Sequence, residues 1–191
     1  QALSDIFRVY GLPKRMTMDI GSPWGYSKQQ MHTRLTAWLI RLGIRVSHSR
    51  PYHPQTQGKL ERFHRTMKAE LLSLYSFDDL RHAQQGFDWW RKLYNEERPH
   101  AAIGNLVPAQ RYLISTNAFP ETLPAIEYDE NAIVRKVNSD GVILYQNKRY
   151  RVGDSFAGGH IALEETEEAN IMKVRFCHQI VYKVDLNNVA A

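Results

Sequence analysis

Residues 15–49, RMTMDIGSPWGYSKQQMHTRLTAWLIRLGIRVSHS, decide the fold, because two short apolar runs there bracket one amphipathic segment. Arg15 to Asp19 reads as a strand, and Arg45 to Ser49 reads as a second. Between them, from about 28 to 42, apolar residues recur at helical spacing up to Gly43, a natural C-terminal stop. Strand, helix, strand is the pattern of an α/β fold. Upstream, residues 2–10 are amphipathic and end at Gly11 and Pro13, which predicts another helix.

Downstream the spacing predicts helices over about 58–75 and 78–94. Pro51 and Pro54 forbid helix before Gln55, and Ser76, followed by Asp78 and Asp79, reads as the N-cap of the second helix. Thr116 to Tyr128, with Pro120 and Pro124, has little periodicity and is expected to run extended as a linker. Beyond it come AIVRKV, VILYQ, RYRV, HIALEET, IMKVRF and IVYKVDL, separated by Asn138-Ser139-Asp140-Gly141, Asn147-Lys148, Gly153-Asp154, Gly158-Gly159 and Glu168-Ala169-Asn170. Strands this short with turns this frequent predict a small antiparallel barrel. The expected partition is an α/β core at 1–115, a linker at 116–130 and a β-barrel domain at 131–191.

The single Cys177 excludes a disulfide framework and a thiolate zinc cluster. No stretch approaches eighteen apolar residues and no signal sequence is visible, so a soluble, cytoplasmic protein without membrane contact is expected. The net charge of +5 is unevenly placed. Residues 1–115 hold 17 Lys and Arg against 9 Asp and Glu, a net of +8, whereas residues 116–191 hold 8 against 11, a net of −3. The basic character peaks over Arg41, Arg45, Arg50, Lys59, Arg62 and Arg65, with His48, His53 and His64 and one acid, Glu61. Such a stretch attracts a polyanion; its plain alternative is a solvated helix face.

Two carboxylates stand out. On a helical wheel Leu60, Phe63, Met67, Leu71 and Leu74 form one apolar stripe, and Glu61 shares a different face with Arg65 and Lys68. Glu61 is then either a carboxylate presented among cations or half of a surface ion pair with Arg65. The preceding run, Ser49-Arg50-Pro51-Tyr52-His53-Pro54-Gln55-Thr56-Gln57-Gly58, is rigid and polar, as functional loops are. Asp19 ends its strand at the edge where α/β folds place ligands, or else caps its own turn. Three histidines without zinc-like spacing or a cysteine partner argue against a histidine metal centre. Trp89, Trp90 and Tyr94 read as core packing, while Arg98 and His100 are open between structural and DNA-contacting roles.

In this order the motifs TMDIGSPWG, RLGIRVSHSRPYHPQTQGKLERFHRTMKAEL and YNEERPHAAIG resemble the catalytic core of DDE transposases and retroviral-type integrases, most closely the bacterial insertion-sequence transposases of the IS481 group. The β segment after residue 130 resembles the C-terminal domain of the same transposases. The resemblance implies an RNase H-like core followed by a small SH3-like barrel, with two Asp and one Glu holding two magnesium ions for cleavage and joining of DNA. Asp19 matches the second acid and Glu61 the third. Tyr52 and Gln57 match loop positions that touch DNA, and Arg65 and Lys68 match basic helix positions at the transposon end; the charge pattern adds Lys59 and Arg62.

Three departures accompany the match. The family's first acid lies upstream of any residue here, Asp5 falling in the opening helix, so the core is expected to lack its first strands and the site its first Asp. Ile20 stands where Asn is usual. The 41 residues between Asp19 and Glu61 exceed the family's usual interval. The expected activity is DNA transposition by a polynucleotidyl transferase. The alternatives are a non-catalytic DNA-binding or assembly fragment and, third, an RNase H-like nuclease. DNA is the expected partner, and a second copy is expected to cover apolar surface that an incomplete sheet leaves open; no small-molecule cofactor is.

Overall fold

The computed structural model describes residues 2–27, 30–49 and 58–190. It is a mixed α/β structure with several sheets, organised as two compact units, one formed by residues 1–49 together with 115–191 and the other by residues 50–114.

The first unit opens with α1 (Ala2–Tyr10), which buries Phe7 and leads through Gly11 to β1 (Arg15–Met18). After α2 (Arg34–Arg41) the chain enters β2 (Arg45–His48), which pairs parallel with β1, Arg15 opposite Arg45 and Met18 opposite His48. The strand–helix–strand expectation therefore holds, but α2 is shorter than the apolar spacing suggested. Thr33 is its N-cap: the Thr33 hydroxyl accepts from the Thr36 amide, and the Thr36 hydroxyl accepts from the Thr33 amide at 2.7 Å. That reciprocal box satisfies the orphan donors of the first turn and fixes the start at Arg34.

The chain returns to this unit at Ser115. Gly11 has φ +72, and a Cβ there would lie 2.6 Å from the Ser115 carbonyl, so only glycine admits the returning strand of chain so closely. Residues 116–130 are irregular, as expected, yet they are anchored rather than merely extended over the surface. Phe119 packs at a tilt against Phe7 and Trp38 at centroid distances of 6.3 and 6.4 Å, Leu123 and Ile126 pack against the core, and the Arg8 guanidinium holds Glu121 at 2.9 Å.

All six strands expected after residue 130 are present: β3 (Ile133–Lys136), β4 (Val142–Tyr145), β5 (Lys148–Arg151), β6 (His160–Glu165), β7 (Ile171–Phe176) and β8 (Gln179–Asp185). Every pairing among them is antiparallel, in a four-stranded sheet of order β3-β6-β7-β8 and a separate β4-β5 hairpin. The hairpin turns at Gln146 and Asn147, both with positive φ, the backbone a two-residue turn requires. The alternation along β7, with Met172, Val174 and Phe176 inward, follows directly from the period of two. One apolar core joins these strands to α1, α2, β1 and β2, and Leu39, Ile40, Ile44, Ile161 and Val174 are wholly buried. Each large side chain so buried contributes about 1.5–3 kcal/mol.

The second unit is helical: α3 (Gly58–Met67), a π-helical turn at Lys68–Leu72, α4 (Leu80–Lys92), a second π-helical turn at Leu93–Glu97, and a short α5 (Pro108–Arg111). Two expectations need correction. The helix expected from 78 begins at Leu80, because Asp79, not Ser76, is the N-cap; its carboxylate accepts from the His82 amide at 2.7 Å. The apolar stripe of the wheel is also broken. The Ser73 amide bonds the Lys68 carbonyl, a five-residue step that ends the regular 100° advance, and Leu74 beyond it is 71% exposed. Aromatic packing begins at Phe63, so Leu60 in the first turn is 47% exposed.

Candidate active site and nucleic-acid interface

Asp19 follows β1 directly and is exposed. Parallel pairing brings the end of β2 alongside it. The Ser49 amide donates to the Met18 carbonyl at 2.9 Å, and the Ser49 hydroxyl donates to Asp19 Oδ1 at 2.8 Å. Ser49 thus orients the carboxylate. No local signal in the sequence marks it; only the register, in which Met18 faces His48, places it one step beyond the pair. The same sheet end carries His48, whose Nε2 lies 3.2 Å from the Trp24 carbonyl, and beyond it the buried His32. Burial, helped by the neighbouring His48, pushes the His32 imidazole down to about 4, so it stays neutral at physiological pH.

Glu61 occupies the first turn of α3 and is exposed, as are Lys59, Arg62, Arg65 and Lys68. The surface ion pair with Arg65 that helical spacing allows does not form. Among the described residues no side chain pairs with Glu61, and none of the four cations is engaged by an acid. A solvated carboxylate among unneutralised cations offers hard oxygen ligands to a divalent ion and positive charge to a polyanion. Asp19 and Glu61 belong to different units, and Tyr52 and Gln57 lie outside the described residues. No group of three or more His, Cys, Asp or Glu among the described residues is arranged to hold a metal.

Sequence reasoning missed one network of the second unit. Glu70, in the π-helical turn after α3, accepts from Trp90 Nε1 at 3.0 Å through one carboxylate oxygen and from the Arg98 guanidinium through the other. Burial opposes ionisation of Glu70, but these hydrogen bonds and the Arg98 charge outweigh it and hold the carboxyl below its ordinary range. Phe63, Trp90 and Tyr94 pack at centroid distances of 5.0–5.4 Å, and Tyr94 meets His100 at 4.7 Å. Trp90 is the core residue of the pair, being 2% exposed; Trp89 is 52% exposed and rests on Tyr75. The signal was present in the YNEERPH motif, but its partner Glu70 carries no mark of its own.

Comparison with known proteins fits this layout. Residues 42–108, which span β2, α3 and α4, match the integrase core domain family, and residues 132–191 match the C-terminal domain of IS481 family transposases. By these two segments the chain is similar to integrase core domains and to IS481 family transposases. An uncharacterized 31.7 kDa protein of insertion element IS407 from Burkholderia multivorans is 28% identical over 110 residues, 58% of this chain and 38% of the relative. A protein of insertion element IS476 from Xanthomonas euvesicatoria is 32% identical over 74 residues, 39% of this chain and 21% of the relative. A putative transposase for insertion sequence element IS5376 from Geobacillus stearothermophilus is 23% identical over 177 residues, 90% of this chain and 43% of the relative. The chain thus spans less than half the length of these relatives. No helix among the described residues is long and apolar enough to cross a membrane.

Proposed function

We propose that this chain is the part of a DDE transposase that carries the second and third acids of the site, with Asp19 and Glu61 as its metal-binding carboxylates. On this reading 1–115 is part of an RNase H-like core, 116–130 a linker and 131–191 an SH3-like barrel, and the substrate is DNA at transposon ends. The observation that carries it is the exposed, unpaired Glu61 beside the free cations of α3, within the segment that matches the integrase core. The pairing of β1 and β2 agrees with it: two-stranded parallel sheets rarely stand alone, and the described residues add no third strand to this sheet.

Asp19 and Glu61 are exposed carboxylates, the hard oxygen ligands that magnesium takes. Two such ions, if held there, would supply activation of the attacking oxygen and charge neutralisation at the leaving oxygen of an in-line phosphodiester displacement. The chain's own residues bind and orient. Ser49 holds Asp19 Oδ1. Lys59, Arg62, Arg65 and Lys68 neutralise backbone phosphates, and Tyr52 and Gln57 touch the strand near the scissile phosphate.

A second reading, a DNA-binding or assembly module without chemistry, is favoured by one observation. The four exposed cations of α3, Lys59, Arg62, Arg65 and Lys68, are engaged by no acid among the described residues and would hold DNA phosphates with or without a metal site. Strand transfer separates the two. A chain extended to the relatives' length, given magnesium and an end-sequence oligonucleotide, joins DNA ends on the first reading and loses that activity in Glu61→Gln. Full activity of Glu61→Gln removes Glu61 from the metal site; DNA binding without strand transfer by the extended chain selects the second reading.

A further inference from the structure

We infer that Arg98 is a positioning residue rather than a DNA contact: through Glu70 it locks the far end of the helix that presents Glu61 and its cations. The inference rests on the reading of α3 as the DNA-facing helix. An arginine in a basic protein, one residue before a proline and two before a histidine, looks like a phosphate ligand by type. Its surroundings say otherwise. The guanidinium is ion-paired with Glu70, and its Cζ lies 5.9 Å from the Tyr94 ring centroid. Its backbone amide closes the second π-helical turn on the Leu93 carbonyl at 2.9 Å.

Glu70 matters because of where it sits. The π-helical turn Lys68–Leu72 departs from the regular hydrogen-bond ladder of α3, the Ser73 amide reaching back to the Lys68 carbonyl. A carboxylate anchored at both oxygens, by Trp90 from α4 and by Arg98 from beyond it, fixes one phase of that turn. Phe63, two residues after Glu61, is seated on Trp90 and Tyr94 of the same cluster. Rotation of α3 is therefore set by both ends of one aromatic and ionic lock. Arg98 spends its charge inside it, which contrasts with the unpaired Arg65 and Lys68.

The two roles predict opposite signs. Neutralising an acid near DNA ordinarily tightens binding, because one repulsive charge is gone. If Glu70 and Arg98 act as a lock, Glu70→Gln instead weakens it. The experiment measures affinity of this chain for a short random-sequence duplex across a salt series, with amide hydrogen exchange on the same variants. Expected are losses of about five- to tenfold for Glu70→Gln and Arg98→Gln alone and no larger loss for the double variant, as for residues coupled in one network. The logarithmic salt slope stays that of the parent, and exchange protection falls in α3 while α4 keeps its own. Arg98→Lys, which retains the charge, guards against simple misfolding and retains only part of the affinity.

Tighter binding by Glu70→Gln, or a salt slope reduced by about one in Arg98→Gln, overturns the lock and makes Arg98 a phosphate contact. Unchanged α3 protection in both single variants overturns it as well. If Arg65→Ala with Lys68→Ala leaves DNA affinity untouched while α3 protection still falls in Glu70→Gln, the lock stands and the DNA-facing reading of α3 is what fails.

Discussion

The two units of this protein are held together by different physics. In residues 1–49 with 115–190, helices and strands share one apolar core in which Leu39, Ile40, Ile44, Ile161 and Val174 are fully buried. In residues 58–114 the buried apolar side chains are Leu71 and Trp90, cohesion rests on stacked aromatics and the Glu70–Arg98 pair, and the outward cations of α3 are unpaired. The first unit is stabilised by apolar burial, whereas α3 of the second leaves its cations in solvent, where a polyanion can reach them. The contrast places folding energy in the first unit and, on the proposed function, DNA affinity in the second.

The sharpest way to break this contrast is Glu61→Gln. Strand transfer by the extended protein is expected to fall to background with the melting temperature unmoved, because the side chain is exposed and unpaired among the described residues. A shifted melting temperature would mean that the second unit folds around its acid. Next in size is Leu39→Ala in the first unit, expected to cost about 2–5 kcal/mol in chemical denaturation, against Leu72→Ala in the second, which is 43% exposed and expected to stay within about 0.5 kcal/mol. Equal costs would abolish the distinction. Replacing Arg65 and Lys68 together by alanine should reduce the logarithmic salt slope of DNA binding by about two, one per phosphate contact, and leave denaturation unchanged.

The smallest expected effect is a difference in acid sensitivity. His32 has its imidazole depressed by burial from 6.5 to about 4, so the unfolded chain takes up its proton first, and the first unit loses stability as pH falls from 6.5 towards 4. Glu70 is held below its ordinary 4.5, so its contribution is complete above that value and is lost only as pH falls through the depressed one. The first unit should therefore soften at higher pH than the second. Unit-resolved hydrogen exchange across that range checks the order, and simultaneous loss would remove His32 as the cause.

Much of the first unit was legible because its signals are local. Alternation along β7, the turn at Asn138–Gly141 and the Gly43 stop each specify their element without distant help. The start of α2 was misjudged because apolar spacing runs on past Thr33, and only the reciprocal Thr33–Thr36 bonds show where the helix begins. The wheel of α3 held for Glu61 and Arg65 but not for Leu74, since sequence periodicity assumes a constant turn and the π-helical step at Lys68–Leu72 breaks it. Ser49 beside Asp19, and Glu70 beside Arg98, were invisible for a shared reason. Each is joined to its partner across 28 or 30 positions of chain, by strand register or helix packing, and neither leaves a pattern in its own neighbourhood.

One contact of β2 bears on the edge of its sheet. The outward side of β2 is covered at Val46 by a single side chain: Gln179 Oε1 accepts from the Val46 amide at 2.9 Å, and Gln179 Nε2 donates to the Val46 carbonyl at 2.9 Å. A carboxamide with that geometry imitates the backbone of a neighbouring strand, so it occupies a seat that another polypeptide would otherwise take. Gln179, at the start of β8, thus engages both backbone groups of Val46 that an added strand would use.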